Sequence, residues 1–163
     1  MNYKIAAGYL PGAIGRVAEL HAVYYHQMWD FGLYFEAKIA TELAQFMQSF
    51  NPARDGFWAI VADDRIMGSI AIVGEETLPP GARLRWYILS PESQGQGWGK
   101  LLMREAMDFC RQAKFHRVYL STFAGLDPAR HLYEAAGFQL IDEQEGAHWG
   151  KTVLEQTFEL ILP

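Results

Sequence analysis

The residues best equipped for chemistry lie in two short stretches, 89–102 and 129–138. The first runs L-S-P-E-S-Q-G-Q-G-W-G-K-L-L, with glycine at 95, 97 and 99. The apolar run Trp86-Tyr87-Ile88-Leu89 precedes it and stops at Ser90-Pro91; apolar residues at helical spacing follow it. That order predicts a strand, a tight turn with little side-chain bulk, and a helix. The first turn of a helix has unpaired backbone N–H groups and roughly half a positive charge, so it receives phosphate-like anions. A nucleoside-triphosphate loop, G-x-x-x-x-G-K-[ST], does not fit, because Gln94 stands where its first glycine belongs and Leu101 has no hydroxyl for a metal. A dinucleotide fingerprint does not fit either: the loop reads G-x-G-x-G, and no acid stands near Tyr119, about twenty residues on. A third pattern, Q/R-x-x-G-x-G/A after an apolar-x-Pro step, is met by Leu89, Pro91, Gln94, Gly97 and Gly99. A glycine-rich surface turn without a ligand is the plain alternative.

This third pattern resembles the pyrophosphate loop of the GNAT family of N-acetyltransferases. Ala129-Arg130-His131-Leu132-Tyr133-Glu134-Ala135-Ala136-Gly137-Phe138 resembles the A-x-x-L-Y-x-x-x-G-F helix of the same family. The likeness runs from about Tyr3 to Leu160. It implies an α/β fold, with a mixed, mostly antiparallel central sheet flanked by helices and splayed at the acetyl-CoA site. It implies acetyl-CoA as cosubstrate, held by Gln94, Gly95, Gln96, Gly97, Trp98, Gly99 and Lys100. Ile88 and Leu89 would be the strand end where a backbone N–H stabilises charge developing on the thioester oxygen. Tyr133 matches the tyrosine that protonates the leaving thiolate, and a phenol of pKa about 10 keeps its proton at neutral pH. One position departs: the asparagine often found seven residues before that tyrosine is Leu126 here.

The base that takes the amine proton is left open among Glu75, Glu76 and His21. The two glutamates precede the strand that enters the glycine loop. His21 has the right type, but a histidine on an apolar helix face also serves as a hydrogen-bonded core residue. Aromatic residues concentrate at Tyr24, Tyr25, Trp29, Phe31, Tyr34 and Phe35, with Asp30 and Glu36 among them. Aromatic faces beside a carboxylate suit a protonated amine, which makes His21, Tyr25 and Trp29 candidates for acceptor binding, with Trp149 as an opposite wall. The same cluster would serve equally as packing or as a homodimer contact. This segment, with Asn51-Pro52-Ala53-Arg54-Asp55-Gly56 and Thr122-Phe123-Ala124-Gly125-Leu126, resembles the acetyltransferase half of chains that begin with a MarR-type repressor. Because this chain starts at the first strand, DNA binding is not carried over.

Positioning these groups calls for alternating elements. Spacing predicts strands at 3–9, 57–62, 66–73, 83–89, 118–122, 138–143 and 153–160, and helices at 14–25, 35–50, 98–114 and 128–136. Asp63-Asp64 marks a hairpin, Gly68 a bulge, Asp127 an N-cap and Gly137 a left-handed helix end. The order agrees with the resemblance and fits one domain, 1–163.

Composition narrows the class. The chain has 163 residues, half of them apolar and a fifth charged, as in ordinary globular proteins. No apolar run approaches twenty residues, so no membrane partner is expected. The net charge of −5 disfavours nucleic acid. A single cysteine, Cys110, fits a reducing cytoplasm and sits on an apolar stripe, as a packing residue would. The reading is a cytoplasmic N-acetyltransferase acting by direct transfer on a primary amine of a small molecule, peptide or protein, without a metal. The alternatives are a non-catalytic acyl-CoA-binding or sensing module and a transferase for longer acyl chains.

Overall fold

The computed structural model describes residues 2–163. In chain order the elements are β1 (Tyr3–Ala7), α1 (Ala13–Trp29), α2 (Leu33–Gln48), β2 (Gly56–Ala62), β3 (Arg65–Glu75), β4 (Gly81–Leu89), α3 (Trp98–Gln112), β5 (Arg117–Phe123), α4 (Asp127–Ala135), β6 (Gln139–Gly146) and β7 (Val153–Ile161). The strands form one sheet of order β1-β2-β3-β4-β5-β7-β6. Only β4 and β5 pair parallel, through the α3 crossover; the other neighbours are antiparallel. The expected mixed, mostly antiparallel sheet is present. One face packs on α3, with Leu102, Met103, Ala106 and Cys110 against Ile60, Ile70, Leu84 and Leu120. The other packs on α1 and α2, with Val17, Phe35, Ile39, Leu43 and Phe46 against Phe57, Ala71, Trp86 and Ile88.

Two features open the sheet at its centre. β4 and β5 pair only from Gly81 to Arg83 and Arg117 to Tyr119 and then separate, which is the expected splay. Within β4 the register to β3 slips: Ser69 faces Ile88 but Ala71 faces Arg85. Two residues, Trp86 and Tyr87, therefore oppose Ile70, and Trp86 takes a left-handed conformation at φ 48°. A bulky residue held there costs about 1–3 kcal/mol. The Ser69 hydroxyl donates to Trp86 O (2.7 Å), and Phe46 (ring centroid 5.3 Å away) and the Arg85 guanidinium (4.2 Å) hold the indole.

Several boundaries differ from the sequence expectation. α1 runs one turn past residue 25, because His26, Gln27, Met28 and Trp29 are compatible with helix and the chain breaks only at Asp30 (φ 58°). Leu126, not Asp127, is the N-cap of α4; Asp127 sits in the first turn, where a carboxylate favours the positive end of the helix. Asp63 and Asp64, at φ 50° and 62°, form the two-residue hairpin turn as anticipated.

Gly68 sits at a register slip, as its place in the strand implied: Ile60 faces Gly68 and Val61 faces Ile66. It also lies against the end of β4, where an added Cβ would fall 2.7 Å from Ile88 O and 2.6 Å from Leu89 Cδ2. Gly68→Ala is therefore expected to cost about 1–3 kcal/mol in a denaturant titration, because a backbone oxygen cannot swing aside. A loss below about 0.5 kcal/mol would mean that β3 and β4 are not held at this separation.

Candidate active site

The glycine loop and α3 form the outer part of the site. Gly97 caps α3 at φ 87°, and an added Cβ there would meet nothing within 4 Å, so the space above the helix start is open. The amides of Trp98, Gly99 and Lys100 precede the first intrahelical bond, Leu101 N to Gly97 O, and are free to donate outward. Next to them lies a cavity of about 390 Å³, lined by Tyr24, Tyr25, Tyr87, Ile88, Leu89, Gln94, Gly95, Gly97, Gly99, Lys100, Leu126, Pro128, Ala129 and Leu132. An anion-receiving end joined to an apolar slot suits a long ligand with a phosphate head.

Most of the predicted loop residues line this cavity. The Gln94 side chain donates to Leu89 O (3.3 Å), tying the loop to the strand end. Gln96 and Trp98 do not line the cavity: Gln96 Nε2 donates to Glu92 O, and Trp98 stacks on Tyr3 at 5.1 Å. Beyond its free amide, Gly99 serves close packing. A Cβ there would lie 2.6 Å from the Tyr87 hydroxyl and 3.0 Å from Leu132 Cδ1.

Ser90 N–H donates to Met67 O, so β4 turns that residue toward β3. Alternation along an antiparallel strand then turns the N–H and C=O of Leu89 the other way, toward the gap where β5 has left. A backbone donor facing the cavity follows.

α4 holds Tyr133 by a complete helix-end motif. Phe138 N donates to Tyr133 O and Gly137 N to Glu134 O, both at 3.0 Å, and Gly137 supplies the required φ of 102°. The Tyr133 ring is buried, 6.0 Å from Tyr87 and 5.9 Å from Phe158. Burial raises its phenol well above the ordinary range, with Tyr87 adding to the effect, so the proton stays on.

A second, inner cavity of about 90 Å³ opens in the splay between β4 and β5. His21, Tyr25, Arg83, Trp86, Tyr133 and Trp149 are among its lining, and Tyr25, Tyr87 and Leu126 belong to both cavities. Tyr25 is the hub of the aromatic cluster, with ring centroids of Trp29, Phe31, Phe35 and Phe123 between 5.1 and 5.9 Å away. Trp29 packs edge-on against Phe123 (5.2 Å) and over Gly125, and lines neither cavity.

The sequence candidates for a base are not brought together here. Glu75 and Glu76 lie where β3 passes into β4, opposite Gly81, while the site is at Leu89. The eight residue steps from Gly81 to Leu89 span roughly 26 Å of strand. Glu75 accepts from the Tyr119 hydroxyl (2.7 Å), and Glu76 pairs with Arg54. His21 does line the inner cavity, but its Nδ1 is 2.8 Å from Val17 O. Burial pushes its pKa down to about 4, against a small upward pull from that carbonyl. Asp30 and Glu36 line neither cavity. Cys110 is fully buried, and burial pushes its thiol up to about 12, so no thiolate is available near neutral pH. Among the described residues no cluster could hold a metal ion, and no helix is long and apolar enough to cross a membrane.

Sequence reasoning missed Tyr87, Arg83 and Arg85. In a strand, alternation would put 83, 85, 87 and 89 on one face, but the slip at Trp86 moves Tyr87 and Leu89 to the other. The lining leucine, alanine and proline of α4 carried no chemical signal either.

His21 is neutral when folded and ordinary when unfolded, so acid favours the unfolded chain. Its contribution is full above about pH 6.5 and is lost as pH falls through about 4. The loss is on the order of 3 kcal/mol. Melting temperature followed from pH 7 to 4 should fall in the wild type, with a shallower fall in His21→Gln. Equal slopes would mean that His21 protonates in the folded chain.

Residues 16–138 match the model of the acetyltransferase (GNAT) family. Rat N-acetyltransferase 8F1 is 28% identical over 133 residues, covering 80% of this chain and 60% of that protein. The chain spans about half the length of other mammalian relatives, 46% of a mouse one. An acetyltransferase of the GNAT family from Streptococcus pneumoniae superposes with a TM-score of 0.73 at 20% identity, over 99% of this chain and all of that one. A Salmonella typhimurium protein solved with its cofactor acetyl-CoA gives 0.73 at 13% identity, over 100% of this chain and 95% of that one. Such structural likeness establishes the shared fold.

Proposed function

The chain belongs to the acetyltransferase (GNAT) family, and from that premise we propose that it moves an acetyl group from acetyl-CoA to a primary amine by direct transfer in a ternary complex. The observation that carries this reading is the meeting of two cavities at Tyr25, Tyr87 and Leu126. One has an anion-receiving helix start and an apolar slot; the other is a compact inner chamber reached from it. Acetyl-CoA, when bound, supplies a thioester whose C–S bond breaks as the C–N bond forms.

The free amides at the start of α3, with Lys100 beside them, receive the pyrophosphate. The Leu89 N–H faces the gap and stabilises negative charge on the carbonyl oxygen. Tyr133 gives its proton to the departing thiolate and regains one from solvent; burial keeps the phenol protonated at neutral pH, and the same desolvation makes a thiolate released beside it more basic. The amine's own proton leaves to water, because no carboxylate lines the inner cavity and His21 is too weak a base to hold it. With Cys110 shut in the core, direct attack by the amine is favoured over a covalent acetyl-enzyme. The aromatic segment 21–35 walls the acceptor side, and its likeness to the acetyltransferase half of MarR-type fusion chains is part of this proposal. Cytoplasmic residence belongs to it as well.

A thiol-release assay with acetyl-CoA over amino acids, polyamines, aminoglycosides and peptide N-termini tests the reading. Release on at least one acceptor class is expected. Coenzyme A binding without release on any amine would identify a binding module instead. On an accepted amine, Tyr133→Phe should lower kcat by about a hundredfold or more while leaving the acetyl-CoA dissociation constant within about twofold. An unchanged kcat would reduce Tyr133 to a packing residue.

A further inference from the structure

Among the described residues, four buried side-chain atoms have no hydrogen-bond partner: Arg54 Nε, Arg83 Nε, Trp86 Nε1 and the Tyr87 hydroxyl. Arg83 and Trp86 line the inner cavity from the α1–α2 side, whereas the Tyr87 hydroxyl lies on the α3 side beside Gly99. Leaving a buried donor unpaired costs about 1–3 kcal/mol, and folded proteins rarely tolerate several in one place. Arg83 Nε and Trp86 Nε1 can only donate. What is missing beside them is an acceptor.

Charge points the same way. Arg83 and Arg85 line the cavity and no aspartate or glutamate does. The carboxylate beside Arg85 is Glu42, which is shared with Lys38. Burial works against ionisation of Glu42, but the two cations hold it below the usual carboxylate range. Glu75, on the same side of the sheet, is engaged by the Tyr119 hydroxyl. Positive charge on the cavity wall is therefore in excess, the opposite of what a polyamine or other polycation would need.

We propose that the acceptor is a compact amine that also carries a carboxylate, an amino acid or short amino-acid derivative. Its carboxylate is received by Arg83 and Trp86, and its amine is directed toward the Tyr87–Tyr133 end of the cavity. A carboxylate is acceptor-only, with room for several donors, and a guanidinium meets it with paired N–H groups. The cavity of about 90 Å³ suits a molecule of that size better than an aminoglycoside. The cationic wall has a second effect: it disfavours the ammonium form of the amine, which must be neutral to attack. Part of the work of a base is thereby done by Arg83 and Arg85. The inference rests on the acetyl-transfer reading for the fate of the amine, but not for the capture of the carboxylate.

Binding separates the two. Calorimetric titration of the protein, with and without coenzyme A, would compare N-acetylglycine, N-acetyl-L-alanine, N-acetyl-L-aspartate and N-acetyl-L-phenylalanine with their carboxamides. At least one acid should bind ten times tighter than its amide or better. Arg83→Gln should collapse that gap, and Arg83→Lys should restore part of it. If no acid outbinds its amide on the wild-type protein, the carboxylate site is wrong, however the variants fold. A gap that persists in a folded Arg83→Gln protein would also overturn it. In the thiol-release assay, free amino acids should exceed their carboxamides at least tenfold in kcat/KM. Acetylation of acids and amides alike would remove the carboxylate site and leave acetyl transfer standing. Acid-selective binding with no thiol release would do the reverse.

Discussion

One extra residue in β4 decides which groups can meet. Before Trp86, Ala82 and Leu84 pack toward α3 while Arg83 and Arg85 face α1 and α2. After it, Trp86 and Ile88 face α1 and α2, and Tyr87 and Leu89 face α3. Without the slip, alternation would put both arginines, Tyr87 and Leu89 on a single face. With it, the cationic wall belongs to the inner cavity and the strand end belongs to the outer slot. The same distortion turns β4 away from β5, so pairing ends at Arg83 and the chamber can exist. Strain at Trp86 is offset by the Ser69 hydrogen bond and by the Phe46 and Arg85 contacts on its ring.

The parts of the site written in short, contiguous motifs could be read directly from the chain. The glycine loop and the α4 segment ending in Gly137-Phe138 each encode their own geometry, since their hydrogen bonds close within a few residues. The motif around Tyr133 is a case in point: its carbonyl is capped by Phe138 N–H, and only glycine at 137 adopts the φ that permits this. The seven strands and four helices were legible for the same reason, because hydrophobic period is a local property.

What was hidden depends on pairing between distant segments. Trp86-Tyr87-Ile88-Leu89 reads as an unbroken apolar run, and nothing in it announces a left-handed tryptophan, because the slip is a matter of register against β3, opposite Ile70. Glu75 and Glu76 looked well placed because they precede β4 in the chain, yet preceding a strand means lying at its far end. Asp30 and Glu36 share a segment with the aromatics but their side chains are exposed and line neither cavity. His21 has the right type, and burial weakens it as a base despite the small upward pull of Val17 O.

The wall shared by the two cavities makes their contents compete for room. Tyr25, Tyr87 and Leu126 line both the slot and the inner chamber. Leu126 is apolar and makes no directional bond that would stop a growing alkyl chain at a fixed depth. An acyl group longer by each methylene therefore takes space from whatever sits in the chamber. Under the proposed transfer, acyl length and acceptor size would be two readings of one volume, so broad tolerance for one would come with narrow tolerance for the other.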